Sequence, residues 1–340
     1  MLPFECRNQS PRLQAGGQSQ MMPRDPPFKP CGPQVGGALN TSPDPDYWDQ
    51  VALDWQPDQR DLLWRRHSDQ VNISFLGPRL PAGRVERLLK TDLFDEANSE
   101  GLAPLLAQHA AMVVGIDVST SVLRAARLQY PLLRPAAADV RCLPFADESF
   151  DCIVSTSTLD HFVNQDELLA SLNELARVLR PRGLLILTLD NPSNPAVGLR
   201  NALPFSWLHR IGVVPYYVGA TLGARDLRAR AEAAGLEVKE TTFVLHCPRL
   251  LAVMATRLVR HCRRETQDRL LRMMGRFEEL ARLPTRRFTG YFVALCATKP
   301  TRNTPGASAQ GQIQTSCEAA MENACTEVQE RENSCSPPVS

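Results

Sequence analysis

The sequence predicts an α/β domain, one mostly parallel sheet with helices packed on both faces. Three observations lead there. Between residues 47 and 299, β-type apolar runs alternate with helix-period segments, as successive βαβ units require. The runs MVVGI and LLILTL are almost wholly apolar, which means burial on both faces, as at the centre of a parallel sheet. In DELLASLNELARVLRP, Leu168, Leu172, Leu175 and Leu179 recur at i, i+4, i+7 and i+11, an apolar stripe suited to lie on a sheet.

Taken in order, a strand over 85–90 delivers Thr91 and Asp92 at its tip. A second, over 112–118, carries Asp117 at its end and leads through Ser119 into the helix STSVLRAARLQY. Strands follow at 136–140, with Asp139 near the end, and at 150–156. The Leu168 helix starts with Asp166 and Glu167, which suit the positive end of the helix dipole, and Pro181 with Gly183 is expected to stop it. Strands at 183–189, 238–245 and 290–297 complete the set.

Two segments stand outside this alternation. After the strand at 183–189 comes TLDNPSNPAVGLRNALPFSWLHRIGVVPYYVGATLG, placed where loops shape the ligand crevice of an open α/β sheet. Asp190, Asn191, Trp207, Tyr216 and Tyr217 either line an acceptor pocket there or form the core of a lid. Residues 249–287 form a largely helical insertion with eleven arginines against four acids. It reads as a solvated basic face, or as a contact for RNA, an anionic membrane or a phosphorylated substrate.

Composition bounds the rest. With 43% hydrophobic and 22% charged residues the chain can bury a substantial core, and a net charge of +1 gives no global attraction to nucleic acid or membrane. Ten cysteines occur without a CxxC pair, several inside apolar runs, so neither a metal site nor a disulfide framework is expected. No window approaches the roughly 18 apolar residues of a membrane span, and the N-terminus has no signal-type apolar region. A cytoplasmic placement follows as the simplest. Residues 1–46 and 300–340, rich in Pro, Gly, Gln and Ser, read as disordered tails around a domain at 47–299.

The chemistry-bearing block is AADVRCLPFADESFDCIVSTSTLDHF. It contains Asp139, Leu143, Pro144, Phe145, Asp147, Ser149, Phe150 and Asp151 in the pattern D-x-x-x-L-P-F-x-D-x-S-F-D. This resembles the class I S-adenosylmethionine-dependent methyltransferases, in particular the type 11-like domain, and ELARVLRPRGLLIL resembles the same family's later stretch. The resemblance covers about 85–190 closely and extends loosely to 298. It implies a Rossmann-like sheet, S-adenosyl-L-methionine as cofactor, and methyl transfer to an acceptor that is a small molecule, lipid-like compound or nucleic-acid component.

The resemblance also implies roles. Asp117 would bind the ribose hydroxyls, although read alone it could equally cap the next helix. Asp139 and the backbone of Val140 would meet the adenine amino group, Leu143 and Phe145 would wall the adenine pocket, and Ser155 would border the methionine end. His161 is the candidate general base, with His246 a second; either can instead be a hydrogen-bonded structural histidine. No metal ligand set is implied.

One departure divides the readings. Such enzymes usually carry a glycine-rich turn after the first strand, because only backbone without Cβ approaches the cofactor closely enough. Here the stretch is RVERLLKTDLFDEANSEGLAPLLAQ, whose one glycine is Gly101. Asp92, Asp95 and Glu96 lie in it and could take the cofactor's ammonium. Either the turn is rebuilt or the site is lost, and the alternative to an enzyme is a catalytically silent binding or scaffold relative. A nicotinamide dehydrogenase is disfavoured, since a dinucleotide also needs a glycine-rich phosphate turn.

Overall fold

The computed structural model of the chain describes residues 42–54, 61–211 and 214–301. The tails expected at 1–46 and 300–340 lie outside these, apart from a few residues at their inner ends. Two helices come first, α1 (Pro45–Asp54) and α2 (Leu62–Leu76). Then follow β1 (Val85–Lys90), α3 (Phe94–Asn98), α4 (Ala103–His109), β2 (Ala110–Asp117), α5 (Thr120–Gln129), β3 (Arg134–Ala137) and β4 (Phe150–Thr156). The second half holds α6 (Gln165–Val178), β5 (Leu179–Asp190), α7 (Pro195–Ala202), α8 (Phe205–Arg210), α9 (Ala224–Ala233) and β6 (Glu237–Val244). It ends with α10 (Arg249–Val259), α11 (Arg264–Arg276), α12 (Arg286–Thr289) and β7 (Phe292–Thr298).

The strands form one sheet in the order β3-β2-β1-β4-β5-β7-β6. β1 to β5 pair in parallel, and β7 is antiparallel to both its neighbours. The order reverses between β1 and β4, so the C-terminal tips of these strands open the crevice where α/β sheets bind ligands. The period-2 alternation of each strand divides the core. Leu89, Ile153, Leu185 and Leu187 face one side with Leu168 and Leu172 of α6 and Leu227 of α9. Leu88, Cys152, Val154 and Ile186 face the other with Leu76 of α2, Leu106 of α4 and Val122 of α5. Helices on both faces follow directly from that alternation.

β2, β6 and β7 lie within two residues of the expected bounds, and two boundaries differ more. β3 occupies 134–137, upstream of the expected 136–140, and pairs Pro135 with Gly115. Proline is tolerated there because β3 is an edge strand, which leaves its missing N–H without a partner to disappoint. The Leu168 helix ends at Val178, before Pro181. Leu179, expected as the last residue of the helical stripe, is already extended and pairs with Phe150 at the start of β5. The ladder then skips to Leu184 opposite Cys152, and Arg182 in the bulge has φ +65°. The helix thus stops at the extended Leu179, ahead of both Pro181 and the bulge.

Candidate functional site

The tips of β1 and β2 each end in a half-buried acid. Asp117 accepts hydrogen bonds from Ser119 N at 2.8 Å and, across the strands, from Leu93 N at 3.1 Å. Asp92 accepts from Phe94 N at 2.8 Å. Consecutive backbone N–H groups of one turn therefore hold two carboxylates side by side. The capping of α5 belongs to Ser119, whose hydroxyl accepts from Val122 N at 3.1 Å. Burial, and then repulsion from Asp92, pushes the Asp117 carboxyl up to about 7. Asp92 is raised as well, by burial.

The turn after β1 is built from side chains where a glycine-rich turn has none. Lys90, the last residue of β1, is fully buried and pairs with Glu96 at 2.8 Å. Its ammonium also donates to Asp92 O. Burial opposes the Lys90 charge, but Glu96, Asp92 and Asp95 outweigh it and hold its pKa above the ordinary value. Glu96 in turn accepts from Leu102 N at 2.8 Å. Gly101 sits at φ +58°, and a Cβ there would lie 2.8 Å from the Glu96 carboxylate, so the turn's single glycine is needed twice over. Asp95 is taken by Arg65 of α2 at 2.6 Å, and the Arg65 guanidinium also stacks 5.0 Å from the Phe94 ring centroid. Of the three acids expected to meet an ammonium, Asp92 alone keeps a carboxylate without a cationic side chain on it. Asp69 of α2 joins the group through Gly101 N, and burial with the nearby Asp95 charge pushes it up to about 7.

Ser155 lies beneath the crevice rather than along it. It is fully buried, and its hydroxyl accepts from Thr91 at 2.8 Å, while Thr91 also meets Thr158 at 2.8 Å. These hydroxyls bolt the tips of β1 and β4 together. Asp139 is held by Arg141 in a two-toothed ion pair, and Arg141 continues to Glu167 at 2.6 Å. Val140 and Leu143 are buried in the core, and Phe145 packs edge-on against Phe150.

On the far side of the switch point, α1 closes over the crevice. Asp49 accepts from Ser119 Oγ at 2.6 Å and Ser121 N at 3.0 Å, and Tyr47 Oη accepts from Tyr217 N at 2.8 Å. Trp48 meets His161 and Tyr216 with ring centroids 5.0 and 6.2 Å apart. His161 Nδ1 lies 2.9 Å from the Tyr217 carbonyl, which can only accept, so Nδ1 carries a proton, and Nε2 lies 3.8 Å from Asp160 Oδ1. Beside it Asp160 is fully buried, bonded through Oδ2 to Ser157 Oγ and Asp190 N, with Oδ1 lacking a hydrogen-bond partner among the described residues. Asp190 pairs with Arg200 at 2.7 Å, and burial with the Asp160 charge raises it to about 6. An open cavity of about 320 Å³ adjoins, lined by Arg200, Phe205, Leu208, Val214 and Tyr217 among others.

Two residues expected near an acceptor do other work. Asn191 donates to Arg287 O and Gly290 O, tying the end of β5 to the start of β7. His246 donates through Nε2 to Phe243 O and accepts at Nδ1 from Thr289, so both ring nitrogens are spent on the fold. Lys90, Arg65, Asp69, Asp49 and Trp48 were missed by the sequence reading. Only Lys90 left a trace, a charged residue ending the apolar run RLLK. Among the described residues no cluster suited to a metal ion occurs.

Comparison with known proteins agrees with this architecture. Residues 97–187 match the family model of the methyltransferase domain. A Mycolicibacterium smegmatis protein named "Probable S-adenosylmethionine-dependent methyltransferase" is 29% identical over 48% of this chain and 58% of its own length. A Mycobacterium tuberculosis protein of the same description is 30% identical over 39% and 44%. A demethylmenaquinone methyltransferase of Beutenbergia cavernae is 34% identical over 37% and 47%. The chain thus spans about half the length of the curated relatives it matches. The matched stretch supplies β2 to β4 and most of β5, the part of the sheet that carries Asp117, Asp139 and the L-P-F block, and over it the chain is similar to the S-adenosylmethionine-dependent methyltransferases.

Proposed function

We propose that the protein transfers a methyl group from S-adenosyl-L-methionine to a small or lipid-like acceptor bound on the β4–β5 side of the crevice. One observation carries the reading: the acids Asp69, Asp92, Asp95, Glu96 and Asp117 crowd the tips of β1 and β2, where among the described residues the cations pairing with them are Lys90 and Arg65. Buried like charges of this kind call for a cationic ligand. The cofactor, bearing an ammonium and a sulfonium, answers that need, and its residues fit: Asp117 has lone pairs left for two ribose hydroxyls, and Asp92 has a free carboxylate oxygen for the ammonium.

In this reading Asp139 and the Val140 backbone meet adenine, Leu143 and Phe145 wall it, and Ser155 acts through Thr91 as a positioning residue. When bound, the cofactor supplies an already activated methyl group. The chain's part is then to align an acceptor and exclude water. Trp48, Tyr216 and Phe94 form an aromatic wall for that purpose, and His161 Nε2 can receive the acceptor's proton. His161→Gln is expected to lower turnover about a hundredfold or more while leaving cofactor affinity unchanged. The free cysteines Cys152, Cys247, Cys262 and Cys296 suit a reducing compartment and support a cytoplasmic placement.

Phe94 and Glu96 favour a second reading, a silent binding domain, because their side chains occupy a turn that elsewhere is bare backbone. Calorimetric titration of the full chain with S-adenosylmethionine and S-adenosylhomocysteine decides between the two. Binding of both ligands supports the enzyme. Binding of neither at millimolar concentration leaves the scaffold.

A further inference from the structure

The outward side of α10 is apolar where the helix of a water-bathed surface is polar. Its inward arc is Ala252 and Thr256, both buried, with Val253, Ala255 and Val259 packed on the same apolar cluster. The opposite arc presents Leu250, Leu251, Met254 and Leu258 at 58, 66, 55 and 81% exposure, with Arg257 as its one charged residue. Four large aliphatic side chains on the solvent side of one helix suit a lipid boundary better than water. α7 shares the inward cluster through Val197 and carries exposed Leu199, and exposed Trp207 follows on α8.

Beside this arc the surface is basic. From Arg257 to Arg276 seven arginines stand against two acids, Glu265 and Asp268. Arg257 is engaged by Asp61, and Asp268 faces Arg66. Arg263, Arg264, Arg269, Arg272 and Arg276 are exposed.

We infer that this face docks the protein on an anionic lipid surface, with α10 lying in the interface and its leucines entering the acyl boundary. Exposed leucines flanked by arginines are the composition of an interfacial helix, in which apolar burial and attraction to acidic headgroups add. Nucleic acid would engage the arginines and leave four large aliphatic side chains in water. The docked end of α10 also reaches the crevice. Arg249, its first residue, lies 3.4 Å from Tyr291 Oη and bonds to Tyr216, the ring packed on His161. If the function proposed above holds, an acceptor embedded in the bilayer would meet the crevice without crossing water. The docking itself does not depend on that function.

The test is co-sedimentation of the full chain with phosphatidylglycerol-containing vesicles and with pure phosphatidylcholine vesicles. Binding is expected to the anionic vesicles and to weaken with salt. Leu251→Asp and Leu258→Asp should each lower the partition coefficient about tenfold, the worth of one buried leucine side chain. Melting temperature and cofactor affinity should not move, so loss of docking is distinguishable from loss of the fold or of the methyltransferase site. Arg269→Glu with Arg272→Glu should weaken binding too. Wild-type protein that stays in the supernatant, or that binds equally after both leucine changes, overturns the proposal. So does preferential binding to single-stranded RNA that survives the leucine changes and is lost with the arginine changes.

Discussion

The tips of β1 and β2 are neighbours in the sheet, end in equivalent acids, and solve the same problem by opposite means. At β2 the turn holds no buried ion pair of its own: Asp117 takes two backbone N–H groups, Ser119 caps the next helix, and Asp49 of α1 accepts from Ser119 and Ser121. At β1 the turn is filled by the Lys90–Glu96 pair, by Phe94, and by Asp95 bound to Arg65. The difference teaches that a ligand crevice can keep its acids while its turn gives up bare backbone, provided the intruding side chains satisfy one another. Charge is arranged within the protein on one side and left for a ligand on the other.

The largest expected effect breaks the filled side. Lys90→Met leaves Glu96 charged and alone in the interior, and should cost about 3–5 kcal/mol in denaturant unfolding. Pairing it with Glu96→Gln should recover most of that loss. A single change costing under about 1 kcal/mol would remove the case for a filled turn. Next, Asp117→Ala should weaken S-adenosylmethionine binding by about 1.5–3 kcal/mol, because charge-assisted hydrogen bonds are lost. Affinity equal to wild type by calorimetry would sink the ribose assignment.

A smaller effect separates the acids of the β1 turn. Asp92→Asn should weaken S-adenosylmethionine about tenfold and leave adenosine nearly unaffected, as the loss of one charged partner for the ammonium requires. Asp95→Asn, whose carboxylate already serves Arg65, should change neither by more than about 0.5 kcal/mol. The reverse order would move the ammonium to Asp95.

The gentlest test is pH. Asp117 is raised to about 7, above its unfolded value near 4, so between these limits the folded protein holds a proton that the unfolded chain has released. Stability of the ligand-free protein should therefore fall as pH rises from about 4 to about 7 and level off above that. Asp117→Asn should flatten the slope by up to one proton. S-adenosylmethionine should bind more tightly as pH rises over the same window, because the cation favours the ionised acids. A melting profile with the opposite slope, unchanged in the Asn variant, would show that the two tips do not share charge.

Much of the frame was legible in the sequence. β1 and β4 fall at 85–90 and 150–156 as read, because apolar alternation and the S-F-D start mark them locally. Asp117 and Ser119 were visible because a strand-end acid followed by a capping hydroxyl is a short-range pattern. What stayed hidden is long-range or conformational. Arg65 lies 30 residues from Asp95, and nothing near Arg65 signals that pairing. Ser157 and Arg182 hold positive φ without being glycine, the first kept there by a hydrogen bond of its N–H to Thr188 O at 3.1 Å. The acceptor side was read least well. Asn191 and His246 looked available only because their partners on the segment before β7, about a hundred and about forty residues on, could not be foreseen.

The buried Lys90–Glu96 pair has a consequence for descent as well as for stability. Neither residue can be exchanged alone, since each intermediate carries an orphan charge beneath the sheet, and Gly101 is tied to them because any Cβ there meets the Glu96 carboxylate. Exchange of this turn for an acid-and-glycine turn would need concerted replacements across a valley of unstable single mutants. The pair is in that sense a ratchet: substitutions around Lys90 and Glu96 are tolerated far more readily than a change of either residue alone.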